Sequence, residues 1–162
     1  MIEIREASDA DWPQIYPIYV EIVADGTTYA FPEGQTLDEA RPGWMEPPPG
    51  RVVVAHEGER VLGSAKAGPN RPGRGSHVAT ASFMVDPAQR GRGVGRALAE
   101  HVVTWARASG YRAMQFNAVV ETNTGAVRLW RSLGFEVVGT VPEAFDHREL
   151  GFVGLHVMHL RL

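Results

Sequence analysis

The chain has 162 residues, enough for one domain with its own hydrophobic core and short for two. Apolar residues make up 44% and charged residues 22% of it, which excludes disordered and fibrous classes. A net charge of -3 argues against a general nucleic-acid binder, and no apolar run approaches the roughly 20 residues that a membrane span needs. The chain has no cysteine, which excludes disulfides, cysteine-ligated zinc and a thiol nucleophile.

The N-terminal segment 1–12 carries acidic residues where a secretory signal peptide would carry basic ones. We therefore expect a cytoplasmic protein. We also expect residues 1–162 to form a single domain, because no low-complexity linker or internal repeat divides them.

The first half of the chain predicts several strands, one helix and a long connection. Residues 8–23 place apolar side chains at helical spacing. Scattered Gly and Pro from 25 to 50 predict a long loop with one short helix around 36–46, and long loops often border binding sites. The predicted strands cover residues 2–7, a hairpin over 51–67, and 76–85.

The second half alternates helices with strands. Helices are predicted from about 93 to 109 and from Asn123 to Gly134, and strands over 112–120, 135–141 and 152–160. The order β-α-(loop)-β-β-β-α-β-α-β-β predicts an α/β (α+β) fold with a mixed sheet and helices on both faces.

A glycine-rich turn before the first of these two helices is the most informative segment. Gly91, Gly93 and Gly95 crowd the helix start, where each interior glycine costs about 1 kcal/mol relative to alanine. Without Cβ atoms, several backbone N–H groups can approach one anion, and the helix dipole favours negative charge there. Mobile positive charge surrounds the same turn, at Arg90, Arg92 and Arg96.

Other interpretations of this turn fit less well. A dinucleotide fingerprint, counted from Gly91, would place its third glycine where Arg96 stands. A P-loop would need Gly-Lys followed by Ser or Thr, which is absent. A merely flexible basic turn is the remaining alternative. We therefore predict a ligand that carries a pyrophosphate and is not a dinucleotide in a Rossmann site.

The sequence resembles the GNAT (GCN5-related) N-acetyltransferases. The resemblance rests on the strand "SFMVDP", the run Arg90-x-x-Gly93-x-Gly95 before a long helix, the strand "QFNAV", and Asn123-x-x-Ala126 ahead of "LGF", in this order. It covers nearly the whole chain and is strongest over 77–140. "SHVATASF", "FNAV" and Trp130 most resemble the branch that acetylates small amino acids and proline analogues.

The resemblance implies a fold and a coenzyme site. The GNAT sheet is mixed and mostly antiparallel, and its central strands splay apart in a V that holds the thioester of acetyl-CoA. The backbone of 90–96 would hold the pyrophosphate, and Phe83, Met84 and Val85 would hydrogen-bond the pantetheine arm as an added strand would. The N–H of Val85 would polarise the thioester carbonyl. The implied coenzyme-binding residues are Phe83, Met84, Val85, Arg90, Gly91, Arg92, Gly93, Val94, Gly95, Arg96, Asn123, Ala126 and Trp130.

Two of these residues keep alternative roles. Asn123 would contact the coenzyme arm, or it would serve as a plain helix N-cap, and both roles are compatible. Trp130 stands seven residues after Asn123, where many family members carry a tyrosine that protonates the leaving thiolate. An indole N–H donates a hydrogen bond but supplies no proton near neutral pH. Trp130 would therefore pack against coenzyme or substrate, or belong to the core alone.

The resemblance to the small-amino-acid branch also implies polar residues beside the reacting groups. The corresponding positions hold Thr80, where the branch usually has Asn, and Asn117; either could also be an ordinary polar strand residue. For a general base, His77 has the most suitable pKa range, although a water chain could do the same work. Further titratable candidates near the cleft are Glu33, Glu121 and His147.

No metal site is predicted. His156 and His159 might suggest one, but residues three apart on a strand point to opposite faces of the sheet.

The sequence thus predicts an enzyme, an N-acetyltransferase that moves an acetyl group from acetyl-CoA to the amine of a small molecule. Direct attack in a ternary complex is expected, because no cysteine is present to carry the acetyl group. One alternative is a non-catalytic module that binds acyl-CoA, and another is a protein or peptide N-acetyltransferase. We expect no nucleic-acid or membrane partner. A homodimer would be typical of the family, with the strands after Phe135 as the pairing surface.

Overall fold

The computed structural model describes all residues 1–162 and contains one mixed seven-stranded sheet in the order β1-β2-β3-β4-β5-β7-β6. The strands are β1 (Glu3–Glu6), β2 (Arg51–Glu57), β3 (Arg60–Pro69), β4 (Val78–Val85), β5 (Ala113–Val120), β6 (Glu136–His147) and β7 (Gly151–Arg161). The α-helices are α1 (Trp12–Asp25), α2 (Leu37–Trp44), α3 (Val94–Ala108) and α4 (Thr124–Ser132). The predicted order of elements is confirmed, including the short helix in the long connection.

Helices cover both faces of the sheet, as predicted. On one face, α3 and α4 bury an apolar stripe that includes Leu98, Val102 and Trp130. On the other face, α1 and α2 bury a second cluster that includes Tyr19 and Trp44. None of the helices is both long and apolar enough to cross a membrane.

The two central strands, β4 and β5, are the only parallel neighbours in the sheet. They pair only at Val78 with Ala113 and at Ala79 with Met114, and beyond these pairs the strands diverge. The space between them is called the gap below. On the β5 side, the register with β7 shifts between Phe116 and Val119, which is a β-bulge. The predicted V-shaped splay is thereby confirmed.

Strand β6 is longer than the predicted strand over 135–141. It runs on to His147 because its pairing with β7 resumes at Phe145 after an irregularity that begins at Val141. Glu143 lies within this irregularity and has a φ of 52°. Pro142 and two acidic residues resemble a loop in the sequence, and only the pairing with β7 makes the segment a strand.

Asp11 fastens the first strand to the first helix. Its carboxylate accepts hydrogen bonds from both terminal nitrogens of Arg5 at 2.8 Å and from the backbone N–H of Ser8 at 2.7 Å. The Arg5 guanidinium is the main cause that lowers the pKa of Asp11 from 3.8 to about 2. The ionised carboxylate is therefore stabilised in the folded state relative to the unfolded chain.

We expect Asp11→Asn to lower the free energy of unfolding at pH 7 by about 2 kcal/mol. Because the folded-state pKa is depressed, this stabilisation is present above pH 3.8 and is lost as the pH falls toward about 2. Urea unfolding of both proteins at several pH values would measure it. The neighbouring Asp9→Asn is the control, since the Asp9 side chain is 89% exposed and should contribute little. A difference that persisted unchanged at pH 2 would contradict this account.

Candidate functional site

A cavity of about 1170 Å³ occupies the gap and reaches both faces of the sheet. One end is lined by Arg90, Asn123 and Ala126, next to the start of α3 and α4. The opposite end is lined by residues of α1 and its following loop, of β3, and of β6, among them Asp25, Lys66 and Phe145. The cavity therefore extends from the segment predicted to bind phosphates, through the gap, to the side of the sheet covered by α1.

The turn formed by residues 90–96, called the glycine turn below, leaves its backbone open. Gly91 and Gly93 have φ values of 79° and 81°, which disfavour any residue with a side chain. A Cβ atom added to either would meet nothing within 4 Å, so open space lies in front of both. Gly93 is also the N-cap of α3, whose first N–H groups lack helical partners. These features fit a pyrophosphate bound by backbone amides.

The three arginines of the glycine turn differ in their partners. Arg92 donates to Gln89 Oε1 at 2.6 Å and to the Glu57 carboxylate. Arg96 donates to Ser132 Oγ at 2.8 Å. Arg90 makes no side-chain hydrogen bond or ion pair and lines the cavity, so it is the cation available to a bound phosphate.

On the edge of β4 that faces the gap, a tyrosine side chain takes the place of a neighbouring strand as hydrogen-bond partner of the backbone. The hydroxyl of Tyr29 accepts a hydrogen bond from the N–H of Phe83 at 2.9 Å and donates one to its carbonyl at 2.7 Å. Burial raises the pKa of Tyr29 to about 12, so the hydroxyl keeps its proton at neutral pH. The tyrosine comes from the loop after α1, and nothing in the local sequence signals this contact.

Strand alternation then decides how Phe83, Met84 and Val85 are oriented. Since the N–H of Phe83 faces the gap, that of Val85 faces it too, whereas Met84 turns its backbone toward β3 opposite Ser64. Met84 is also 1% exposed. Of the three residues that the resemblance implies, Val85 alone presents a gap-facing N–H that Tyr29 does not take.

Trp130 is buried among aromatic rings beside the gap. It is 8% exposed, and its ring centroid lies 4.7 Å from that of Phe116 and 4.9 Å from that of Phe83. It belongs to the core cluster of α3 and α4 and also lines the cavity. Asn123 is the N-cap of α4, since its Oδ1 accepts from the N–H of Ala126 at 3.4 Å, and it also lines the cavity.

The residues expected beside the reacting groups divide into two sets. Thr80 and Asn117 line the cavity from opposite strands, and the Asn117 side chain is fixed by hydrogen bonds with Gln115 at 2.9 Å and Asn70 at 2.6 Å. His77 is exposed at the start of β4 and is not part of the cavity lining. The structure thus brings Thr80 and Asn117 together and leaves His77 outside.

Among the other titratable candidates, His147 alone lines the cavity. Glu33 forms an ion pair with Arg148, and Glu121 accepts from the N–H of Gly154 at 2.7 Å. His147 is 7% exposed, and its Nδ1 accepts the N–H groups of Glu149 and Leu150, both at 3.1 Å. When the ring is neutral, its proton therefore lies on Nε2, which makes His147 a hydrogen-bond donor at that nitrogen.

No group of three or more His, Cys, Asp or Glu residues is placed to hold a metal ion. Of the titratable candidates that the sequence suggests near the cleft, His147 follows Phe145 by two positions, so both side chains lie on one face of β6.

Residues 4–135 match the acetyltransferase (GNAT) family, and the chain therefore belongs to this family. The solved GCN5-related N-acetyltransferase from Kribbella flavida is 58% identical, with a TM-score of 0.96 and coverage of 99% of this chain and 98% of that one. An acetyltransferase from Salmonella typhimurium, solved with its cofactor acetyl-CoA, is 29% identical with a TM-score of 0.83, covering 100% and 94% of the two chains. The predicted GNAT fold is confirmed.

The curated relatives include an L-methionine sulfoximine/L-methionine sulfone acetyltransferase from Pseudomonas aeruginosa. It is 34% identical over an alignment of 146 positions, gaps included, and the alignment covers 86% of this chain and 83% of that protein. Two yeast proteins match over shorter segments, and the chain spans only 40% of the Schizosaccharomyces pombe N-acetyltransferase and 13% of the Saccharomyces cerevisiae protein. The name of the Pseudomonas relative gives two amino-acid analogues as its substrates. This agrees with the small-amino-acid branch that the sequence resembles.

Proposed function

We propose that this member of the GNAT family transfers an acetyl group from acetyl-CoA to the amine of a small molecule, an amino acid, imino acid or analogue. The observation that carries the proposal is the gap between β4 and β5. The cavity in this gap runs from beside the open glycine turn to residues of α1 and the loop after it. Donor and acceptor can then meet within one cavity, as direct attack in a ternary complex requires. The whole chain, residues 1–162, is proposed to act as one domain.

The glycine turn and β4 would hold acetyl-CoA, which supplies the acetyl group. The backbone of 90–96 and the Arg90 side chain would bind its phosphates, and Asn123 and Ala126 would border its arm. Val85 would donate its N–H to the thioester carbonyl, where negative charge develops as the amine attacks. Because this donor is fixed in a strand, it needs no reorganisation during the reaction.

Thr80 and Asn117 would orient the acceptor from the two walls of the gap. His147 would donate from Nε2 to an oxygen of the acceptor, since its Nδ1 is already occupied. The proton of the attacking amine would leave through water, because neither His147 nor the distant His77 is placed to take it. Trp130 would pack against the coenzyme arm, and the thiolate would depart without a proton from this residue.

A small acceptor fits the cavity better than a protein chain does. The loop after α1 contributes Thr27, Thr28 and Phe31 to the cavity wall, so it covers the acceptor end. A protein or peptide acetyltransferase would need an open groove at that end instead. A non-catalytic acyl-CoA-binding module remains the second candidate, because Trp130 replaces the usual proton donor.

Thiol release from acetyl-CoA should be detected with at least one member of a panel of amino acids, imino acids and aminated metabolites. The reason is that the end of the cavity proposed for the acceptor is continuous with the part that Val85 lines. A coloured thiol reagent would measure the release. Hydrolysis without amine is the control, and the acetylated product would be identified by mass spectrometry. Tight acetyl-CoA binding with no release across the panel would favour the non-catalytic module.

The proposal also includes a homodimer and a cytoplasmic location. Exposed apolar residues on and beside β6 and β7 support the dimer: Val138, Val141, Leu150 and Phe152 are 70%, 52%, 61% and 68% exposed. Exposed apolar side chains along these two strands favour pairing of two chains. Light scattering that gave the mass of a single 17.7 kDa chain would contradict the dimer. Cell fractionation would test the cytoplasmic location.

A further inference from the structure

Tyr29 forms a fixed wall across the gap. Its hydroxyl is held by two hydrogen bonds to the backbone of Phe83, and its ring stacks on Phe31 with centroids 5.8 Å apart and an interplanar angle of 27°. Moving the side chain would leave both backbone groups of Phe83 without these partners. The tyrosine is therefore a rigid part of the cavity lining.

The loop that carries Tyr29 is anchored at both ends. At its start, the carbonyl of Gly26 accepts from the N–H of Arg148 at 3.0 Å. At its end, Gln35 accepts hydrogen bonds from the hydroxyls of Tyr16 and Tyr19, both at 2.7 Å. The contacts come from β6–β7 and from α1, so the loop belongs to the packed structure and is not a free lid.

The direction of the coenzyme arm places this wall at its acyl end. The glycine turn follows the C-terminal end of β4, so an arm that enters there reaches Val85 before Phe83. Residues two apart on a strand are roughly 6.5 Å apart. The thioester carbonyl at Val85 and the Tyr29 hydroxyl at Phe83 would be separated by this distance. After a van der Waals contact of about 3.5 Å with the hydroxyl is subtracted, roughly 3 Å of free length is left for the carbons of the acyl chain. Each C–C bond adds about 1.5 Å, so the space takes an acetyl methyl and at most one further carbon.

We propose that Tyr29 determines the acyl specificity of the site and excludes acyl chains of four carbons or more. This inference rests on the proposed function. The glycine turn does not specify the length of the acyl group, because it is proposed to bind the coenzyme part of the ligand. Tyr29 acts on the other end of the ligand, where a single fixed side chain limits the length.

The test compares acetyl-, propionyl-, butyryl- and hexanoyl-CoA on the full chain, by calorimetric titration and by kcat/KM with an acceptor from the panel. The unaltered protein should bind acetyl-CoA on the order of tenfold more tightly than butyryl-CoA. Tyr29→Ala should bring this ratio close to one by improving butyryl-CoA binding. Tyr29→Phe keeps the ring but loses both hydrogen bonds, so its ratio should fall between the two.

Tyr16→Phe is the matched control, because it removes a hydroxyl that holds the same loop from outside the cavity. It should keep the ratio of the unaltered protein. If Tyr29→Ala fails to fold, Tyr29→Phe decides the question. If the Tyr29 variants lost affinity equally for every acyl-CoA, Tyr29 would have a structural role only. That result would overturn this inference and leave the proposed function standing. Failure of every acyl-CoA to bind the unaltered protein would overturn the proposed function together with it.

Discussion

Gly93→Glu should weaken acetyl-CoA binding by at least about a hundredfold, the largest effect on binding that we expect of any single substitution. The new carboxylate would occupy the open space in front of the glycine turn, where the pyrophosphate is proposed to lie. Like charges brought together in a binding site cost several kcal/mol, and 1.4 kcal/mol corresponds to a factor of ten in Kd. Isothermal titration calorimetry with acetyl-CoA would measure the change.

Gly110→Glu is a matched control for this substitution. Gly110 follows the C-terminal end of the same helix, has a φ of 86°, and also has nothing within 4 Å of an added Cβ. The two variants therefore share the strain of a side chain at positive φ and differ in their distance from the proposed phosphate site. Unchanged binding in Gly93→Glu, or an equal loss in both variants, would contradict the assignment of the glycine turn.

Trp130→Ala should lower the free energy of unfolding by about 3–5 kcal/mol, since it removes a buried indole from between three phenylalanine rings. Trp130→Phe retains an aromatic ring and should lose less. Its turnover should stay within a few-fold of that of the unaltered protein, because the indole supplies no proton to the thiolate. Denaturant unfolding and thiol release would measure the two effects separately.

The half-buried Trp105 provides the comparison for stability. It packs near Tyr111 and beneath Arg51, outside the gap, so Trp105→Ala should cost less than Trp130→Ala. If Trp130→Phe abolished turnover while acetyl-CoA still bound normally, Trp130 would take part in the chemistry and our interpretation would be wrong.

The parts of the fold and site that follow from short stretches of sequence could be predicted. The glycine turn is one example, because the conformations of Gly91 and Gly93 and the start of α3 depend on adjacent residues. The order of helices and strands is another, since each element has its own periodicity. From these elements the family, and with it the splay of the central strands, could be recognised.

The parts that depend on distant contacts could not be predicted in the same way. Tyr29 reaches Phe83 across 54 positions of sequence, and its place depends on the path of the whole loop after α1. The extension of β6 to His147 depends on pairing with β7 around an irregularity. Both examples concern the acceptor side of the cavity. This explains why the coenzyme site was predictable in more detail than the acceptor site.

The divergence of β4 and β5 also gives this sheet two inner edges, in addition to the two outer ones. Unpaired strand edges invite pairing with other chains and promote aggregation. The Tyr29 hydroxyl satisfies both gap-facing groups of Phe83, so it shortens the uncovered stretch of the β4 edge. A side chain that limits the cavity thus also protects the middle of the sheet against edge-to-edge association when no ligand fills the gap.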